Sequence, residues 1–122
     1  MSGTVERFFE YLSARDWESL RRELAPEVER MGPFGDRVAG RDGYLAMLEA
    51  AVPADYRNDV HLVSYTVDGR AAFARVTEHL GYPSQTLDLE EAYAFGLDGE
   101  GRVSRIEVFW QTPQYDPTKP SS

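Results

Sequence analysis

Residues 87–97 read Leu-Asp-Leu-Glu-Glu-Ala-Tyr-Ala-Phe-Gly-Leu, with large side chains at the odd positions and small or acidic ones at the even positions. Strict period-two alternation over that length predicts a strand with one large-residue face. On that face Glu91 is the exception, a carboxylate among Leu89, Tyr93 and Phe95. A carboxylate taken from water into apolar surroundings must find a partner, take up a proton or meet water in a cavity. The rest of the chain is therefore read as what surrounds this face.

Upstream the period is helical. Val5, Phe8, Phe9 and Leu12 mark a helix over residues 4–14, with Thr4 at its start. Asp16 is placed to cap a second helix through Trp17, Leu20 and Leu24, ended by Pro26. Residues 27–31 read as a short edge strand and 32–36 as a loop. Asp42 is placed to cap a third helix carrying Tyr44, Leu45 and Leu48, stopped by Pro53. From Arg57 the period becomes two. Strands are expected over 58–67, 70–80, 86–97 and 102–112, broken by Asp68-Gly69, the loop 81–85 and the turn 98–101. Helices followed by a meander of long strands give an α+β domain over 1–113 and a flexible tail over 114–122.

Turn lengths set the register. A loop 98–101 puts Glu91 opposite Val108 and Tyr93 opposite Ile106. A loop 81–85 puts Glu91 opposite Arg75, with Thr77 and His79 continuing the inner row. A shift of one residue would bring Glu78 inward instead. The expected inner face also holds Asn58, Val60, Leu62, Ser64, Phe73, Val108 and Trp110. The outer face holds Val63, Tyr65, Val67, Val76, Glu78, Arg105, Glu107 and Phe109, and is apolar enough to predict a homodimer.

Composition excludes several classes. The net charge is −8 with no basic cluster, which argues against nucleic-acid and anionic-membrane partners. There is no cysteine, and His61 and His79 lack metal-ligand spacing, so no metal is expected. Neither a signal-peptide core nor a membrane-length apolar run is present, so a cytoplasmic location is expected.

Certain segments carry a family likeness: Phe8-Phe9 with Leu12, Ala14-Arg15-Asp16-Trp17, Gly32-Pro33, Val38-Ala39-Gly40-Arg41-Asp42, and Gly101-Arg102-Val103 before Phe109-Trp110. With the order of elements they resemble the nuclear transport factor 2-like fold and, within it, the SnoaL-like polyketide cyclases. The resemblance implies a cone-shaped α+β barrel, three N-terminal helices packed on a strongly curved antiparallel sheet, with a pocket between the layers. It implies no cofactor. Ketosteroid-isomerase-like positions fall on Phe8, Gly32 and Tyr93, so the base is missing. The arginine and aspartates of limonene-epoxide-hydrolase-like enzymes fall on Arg75, Thr77 and Val108. The cyclase aspartate falls nearest Tyr93, with Glu91 beside it.

The expected site follows. Glu91 moves a proton, Arg75 orients it or steadies negative charge, Tyr93 donates to a carbonyl oxygen, and His79 shuttles protons. Thr77, Asn58, Trp110, Phe34, Trp17, Tyr44 and Met31 line the place of a small hydrophobic, carbonyl-bearing molecule. The bland alternative is a structural Glu91–Arg75 ion pair in a noncatalytic binding or assembly module.

Overall fold

The computed structural model describes residues 3–51, 57–81 and 86–111. The expected tail, 114–122, lies outside them. In chain order the elements are α1 (Thr4–Ala14), α2 (Trp17–Glu23), β1 (Leu24–Met31), β2 (Arg37–Ala39), α3 (Arg41–Ala51), β3 (Arg57–Asp68), β4 (Ala71–Gly81), β5 (Thr86–Leu97) and β6 (Val103–Gln111). The three helices pack on one curved, open sheet of order β2-β1-β6-β5-β4-β3. Among the described residues no helix is long and apolar enough to cross a membrane.

The helices begin for different reasons. Asp16 caps α2 as its spacing predicts, its Oδ1 accepting from the Ser19 N–H at 3.2 Å. At α1 the cap position is Gly3, without a side-chain bond, and Thr4 instead donates to the Gly101 carbonyl at 3.0 Å. Asp42 sits inside the first turn of α3, where an anion suits the helix dipole, and pairs with Arg21 on α2 at 2.5 Å. The apolar stripe of α1 is buried as its period requires. Phe8 meets Phe95 at a ring separation of 5.1 Å and Phe9 meets Tyr93 at 5.0 Å, both edge-on. Full burial of one such ring contributes about 1.5–3 kcal/mol, so this cluster ties α1 to β5.

The sheet is mixed rather than antiparallel. β1 runs parallel to β6, pairing Arg30 with Ile106, and lies inside the sheet because β2 covers its other edge. Such a pairing joins segments far apart in sequence, which local turn signals cannot reveal.

Two registers differ from expectation. Between β4 and β5, Gly81 pairs with Thr86, so Glu91 lies opposite Val76 and Glu78 opposite Leu89. The connection has four residues instead of five, and a shift of one exchanges the two faces of a strand. Ala72, Ala74, Val76 and Glu78 therefore face the helices, while Phe73, Arg75, Thr77 and His79 face outward. Between β5 and β6 Leu97 pairs with Val103, one residue beyond expectation, and a bulge at Gly96/Leu97 adds one more, setting Glu91 opposite Trp110 and Tyr93 opposite Val108. That displacement is two residues, so the faces stand as expected.

A bulge between Leu62 and Ser64 also changes the outer end of β3. Ser64 pairs with outward Arg75, not with Phe73. Tyr65 and Val67 pair with Ala74 and Ala72 and so turn to the helix side, where the Tyr65 hydroxyl donates to Glu6 of α1. Of the expected outer face, Val76 and Glu78 belong inside, whereas Val63 and Phe109 are exposed. The side chains of Asn58 and Leu87 lie outside the described residues.

Candidate functional site

The centre of the site is the Glu91 carboxyl. β5 presents it on the inner face between Val76 of β4 and Trp110 of β6, and it is only 5% exposed. Glu78 is its diagonal neighbour on β4. Tyr93 follows on β5, and Tyr44 is contributed by α3; both are buried. Arg30 comes from β1 on the same face, as its pairing with buried Ile106 requires. Its side chain is 13% exposed, and its Nη1 lies 2.7 Å from Asp36 Oδ2.

Electrostatics follow from burial. Desolvation pushes the Glu91 carboxyl up to about 8, and the Glu78 charge adds to the effect. The Trp110 indole and the Arg30 charge oppose it. The indole acts here without completing a hydrogen bond, since neither Trp110 Nε1 nor Glu91 Oε1 has a protein partner of bonding geometry among the described residues. Burial likewise raises Glu78, to about 7. Tyr44 and Tyr93 are pushed up by burial as well, and negative neighbours reinforce this at Tyr93, so both stay protonated donors. Two carboxyls raised into the neutral range can each take or give a proton without leaving physiological pH.

A family model for the SnoaL-like domain matches residues 5–106. The chain belongs to the SnoaL-like domain family. Similar solved structures span several described activities. An epoxide hydrolase of the limonene-epoxide-hydrolase-like type from Mycobacterium tuberculosis superposes with a TM-score of 0.78 at 18% identity, over 88% of this chain and 80% of that one. A provisionally described ketosteroid isomerase from Kribbella flavida gives 0.75 at 25% identity, over 95% and 81%. A provisionally described polyketide cyclase from Xanthomonas campestris gives 0.78 at 21%, over 88% and 87%. Comparison with curated proteins found no match.

The fold of this SnoaL-like domain brings together Glu91, Tyr93, Tyr44 and Trp110 of the residues the sequence singled out. Phe34 is 77% exposed, yet its ring meets Trp110 edge-on at 5.2 Å. Trp17 is half-buried against the core on α2. Arg75 does not meet Glu91. It is exposed on the outer face, in a groove of about 650 Å³ with Phe73, Glu107 and Phe109. His79 also faces outward, 2.5 Å from its cross-strand neighbour Asp88, and Thr77 shares that face. Met31 pairs with Glu107 and points away from Arg30. Asn58 pairs with Leu80, with its side chain outside the described residues.

Sequence reasoning placed Glu78 outside and overlooked Arg30 and Asp36. One signal for Arg30 was present: Val28 and Arg30 are two residues apart on a strand, so a buried Val28 puts Arg30 on the buried face. At Gly32, the position where the isomerase-like base is missing, a side chain would have to displace the ends of two others. A Cβ there would lie 2.3 Å from Asp36 Oδ1 and 2.6 Å from Arg30 Nη1.

Proposed function

We propose that this SnoaL-like domain catalyses cofactor-free acid–base chemistry on a hydrophobic, carbonyl-bearing small molecule. One observation carries the reading: a carboxyl 5% exposed, with an unpartnered oxygen and a second carboxyl beside it, titrating close to neutrality. In the ionised form Glu91 takes a proton from carbon next to a carbonyl. Glu78 holds or relays that proton. Tyr93 and Tyr44 are protonated donors and Arg30 is a cation, so all three favour the oxyanion that forms as the proton leaves. The aromatic rings beside them suit an apolar substrate. The Mycobacterium, Kribbella and Xanthomonas structures lend support through their described hydrolase, isomerase and cyclase activities.

The test needs no knowledge of the natural substrate. β-Tetralone is incubated with the protein in D₂O, and loss of its α-proton signals is followed by NMR. The wild type accelerates exchange, and Glu91→Gln slows it by roughly 10²–10⁴-fold. Equal rates for the two proteins would sink the proposal.

A second reading, an assembly module, draws on the outer face. Val63, Phe73 and Phe109 expose roughly half of their surfaces there. Arg75, Arg105 and Glu107 surround them with charges of both signs. A second copy related by a twofold axis is the occupant we infer, giving a homodimer. This reading is compatible with the first, because the two use opposite faces of the sheet.

A further inference from the structure

The segment between β1 and β2 folds back over the strand it leaves. The Gly32 N–H donates to the Asp36 carbonyl at 2.8 Å, and the Gly35 N–H donates to the Gly32 carbonyl at 3.1 Å. This turn delivers the Asp36 carboxylate to the Arg30 guanidinium at 2.7 Å. Both groups lie against Gly32, close enough that any Cβ there would collide with each of them. A Cβ at this position would push the flexible ends of both side chains off the place where they now meet.

The two partners live in different surroundings. The Arg30 side chain is 13% exposed and lies on the inner face with the carboxyl pair, whereas the Asp36 side chain is 50% exposed at the rim. A poorly solvated guanidinium needs a counter-ion. Asp36 serves at 2.7 Å, while Glu91, which feels the Arg30 charge from the same face, is the competing carboxylate. If Arg30 closed on Glu91, that carboxyl would be held ionised and could not carry a proton near neutrality.

We propose that Asp36 and Gly32 are positioning residues: Asp36 takes Arg30 as its counter-ion across the bare backbone of Gly32 and so holds the guanidinium off the Glu78–Glu91 pair. The inference rests on reading that pair as the working site. Arg30 then contributes a partial field at the cluster. Its charge is felt at Glu91, Tyr93 and Tyr44, yet burial and the Glu78 charge still dominate at Glu91. The same segment carries Phe34 onto Trp110, so the loop touches the site at two points.

The experiment is a double-mutant cycle read by the carboxyl ¹³C shift of Glu91 in labelled protein, assigned with Glu91→Gln and Glu78→Gln. The groups acting on Glu91 are Glu78 from β4, Trp110 from β6 and Arg30 from β1, with Tyr93 alongside on β5. Asp36→Asn frees Arg30 to turn inward, and the Glu91 midpoint falls by ~1 pH unit or more. Arg30→Gln raises it. With Arg30→Gln already in place, adding Asp36→Asn changes nothing, because Asp36 acts through Arg30. Gly32→Ala forces the pair apart and reproduces the downward shift. An unmoved or raised midpoint in Asp36→Asn overturns the proposal, as does an equal effect of Asp36→Asn with and without Arg30. The readout is independent of turnover. Absent β-tetralone exchange counts against the catalytic reading alone, and an unmoved midpoint counts against the anchor alone.

Discussion

Glu78 and Glu91 are diagonal neighbours across β4 and β5, Glu78 facing Leu89 and Glu91 facing Val76. Diagonal positions on one sheet face are within reach of long side chains. Here they place two carboxyls on a face packed against helices, where two like charges would repel. Both carboxyls are favoured in the protonated form, and that preference has consequences outside catalysis.

Stability falls as pH rises through the neutral range. A carboxyl titrating at about 8 when folded and near 4.5 when unfolded binds more proton in the native state between those values. Its favourable contribution is complete below the unfolded value and is lost as pH passes the folded one. The slope approaches ~1.4 kcal/mol per pH unit for each such group. Urea unfolding at about pH 5 and about pH 9 measures this directly, and Glu91→Gln flattens the dependence. A Glu91→Gln protein with the wild-type slope would remove Glu91 as its source.

Trp110 reports on its cross-strand partner. The chain has two tryptophans, so Trp17→Phe leaves Trp110 as the sole indole. Its emission then changes with a midpoint at about 8 as Glu91 loses its proton. Adding Glu91→Gln abolishes that transition. A transition that survives the second substitution belongs to another group.

Phe8 is fully buried and meets Phe9, Tyr93 and Phe95 ring to ring. Phe8→Ala opens a cavity under the site and costs about 3–5 kcal/mol in denaturant unfolding. Phe8→Leu costs less and retains the Glu91 titration. Equal losses for the two would show that ring volume does not matter there.

The outer face gives a separate outcome. Phe73→Glu together with Phe109→Glu converts a dimer to a monomer in sedimentation while the Glu91 titration is unchanged. A wild-type protein that sediments as a monomer would refute the homodimer.

Alternation alone put Glu91, Tyr93 and Phe95 on one buried face, and the helical stripe of Val5, Phe8, Phe9 and Leu12 was equally plain. The parity of β4 was not. Large residues usually mark the inner face, and Phe73 and Arg75 are larger than their neighbours. Ala72 and Ala74 are inside instead, because the rings of Phe8, Phe9, Tyr93 and Phe95 occupy the same core and small side chains leave them room. Connection length decides between these parities, and a stretch containing Pro83 does not declare its length. Arg30 was hidden for another reason. Its spacing from Val28 hinted at the direction, but that β1 lies inside the sheet depends on its joining β6, and no local signal encodes a partner so distant in sequence.

That distant partnership also orders how the domain can be assembled. β6 sits between β5 and β1, so Leu24 must wait for Val103 before the two halves of the sheet become one. The hairpins of β3, β4 and β5 close over short loops, whereas joining β1 to β6 closes a very long one, at a larger entropic cost. Folding is therefore expected to be slow for a chain of this size, with the hairpins early and the parallel seam last. Until that seam closes, the facing edges of β6 and β1 are unpaired, and a newly made chain is most open to association with the wrong partner during that interval.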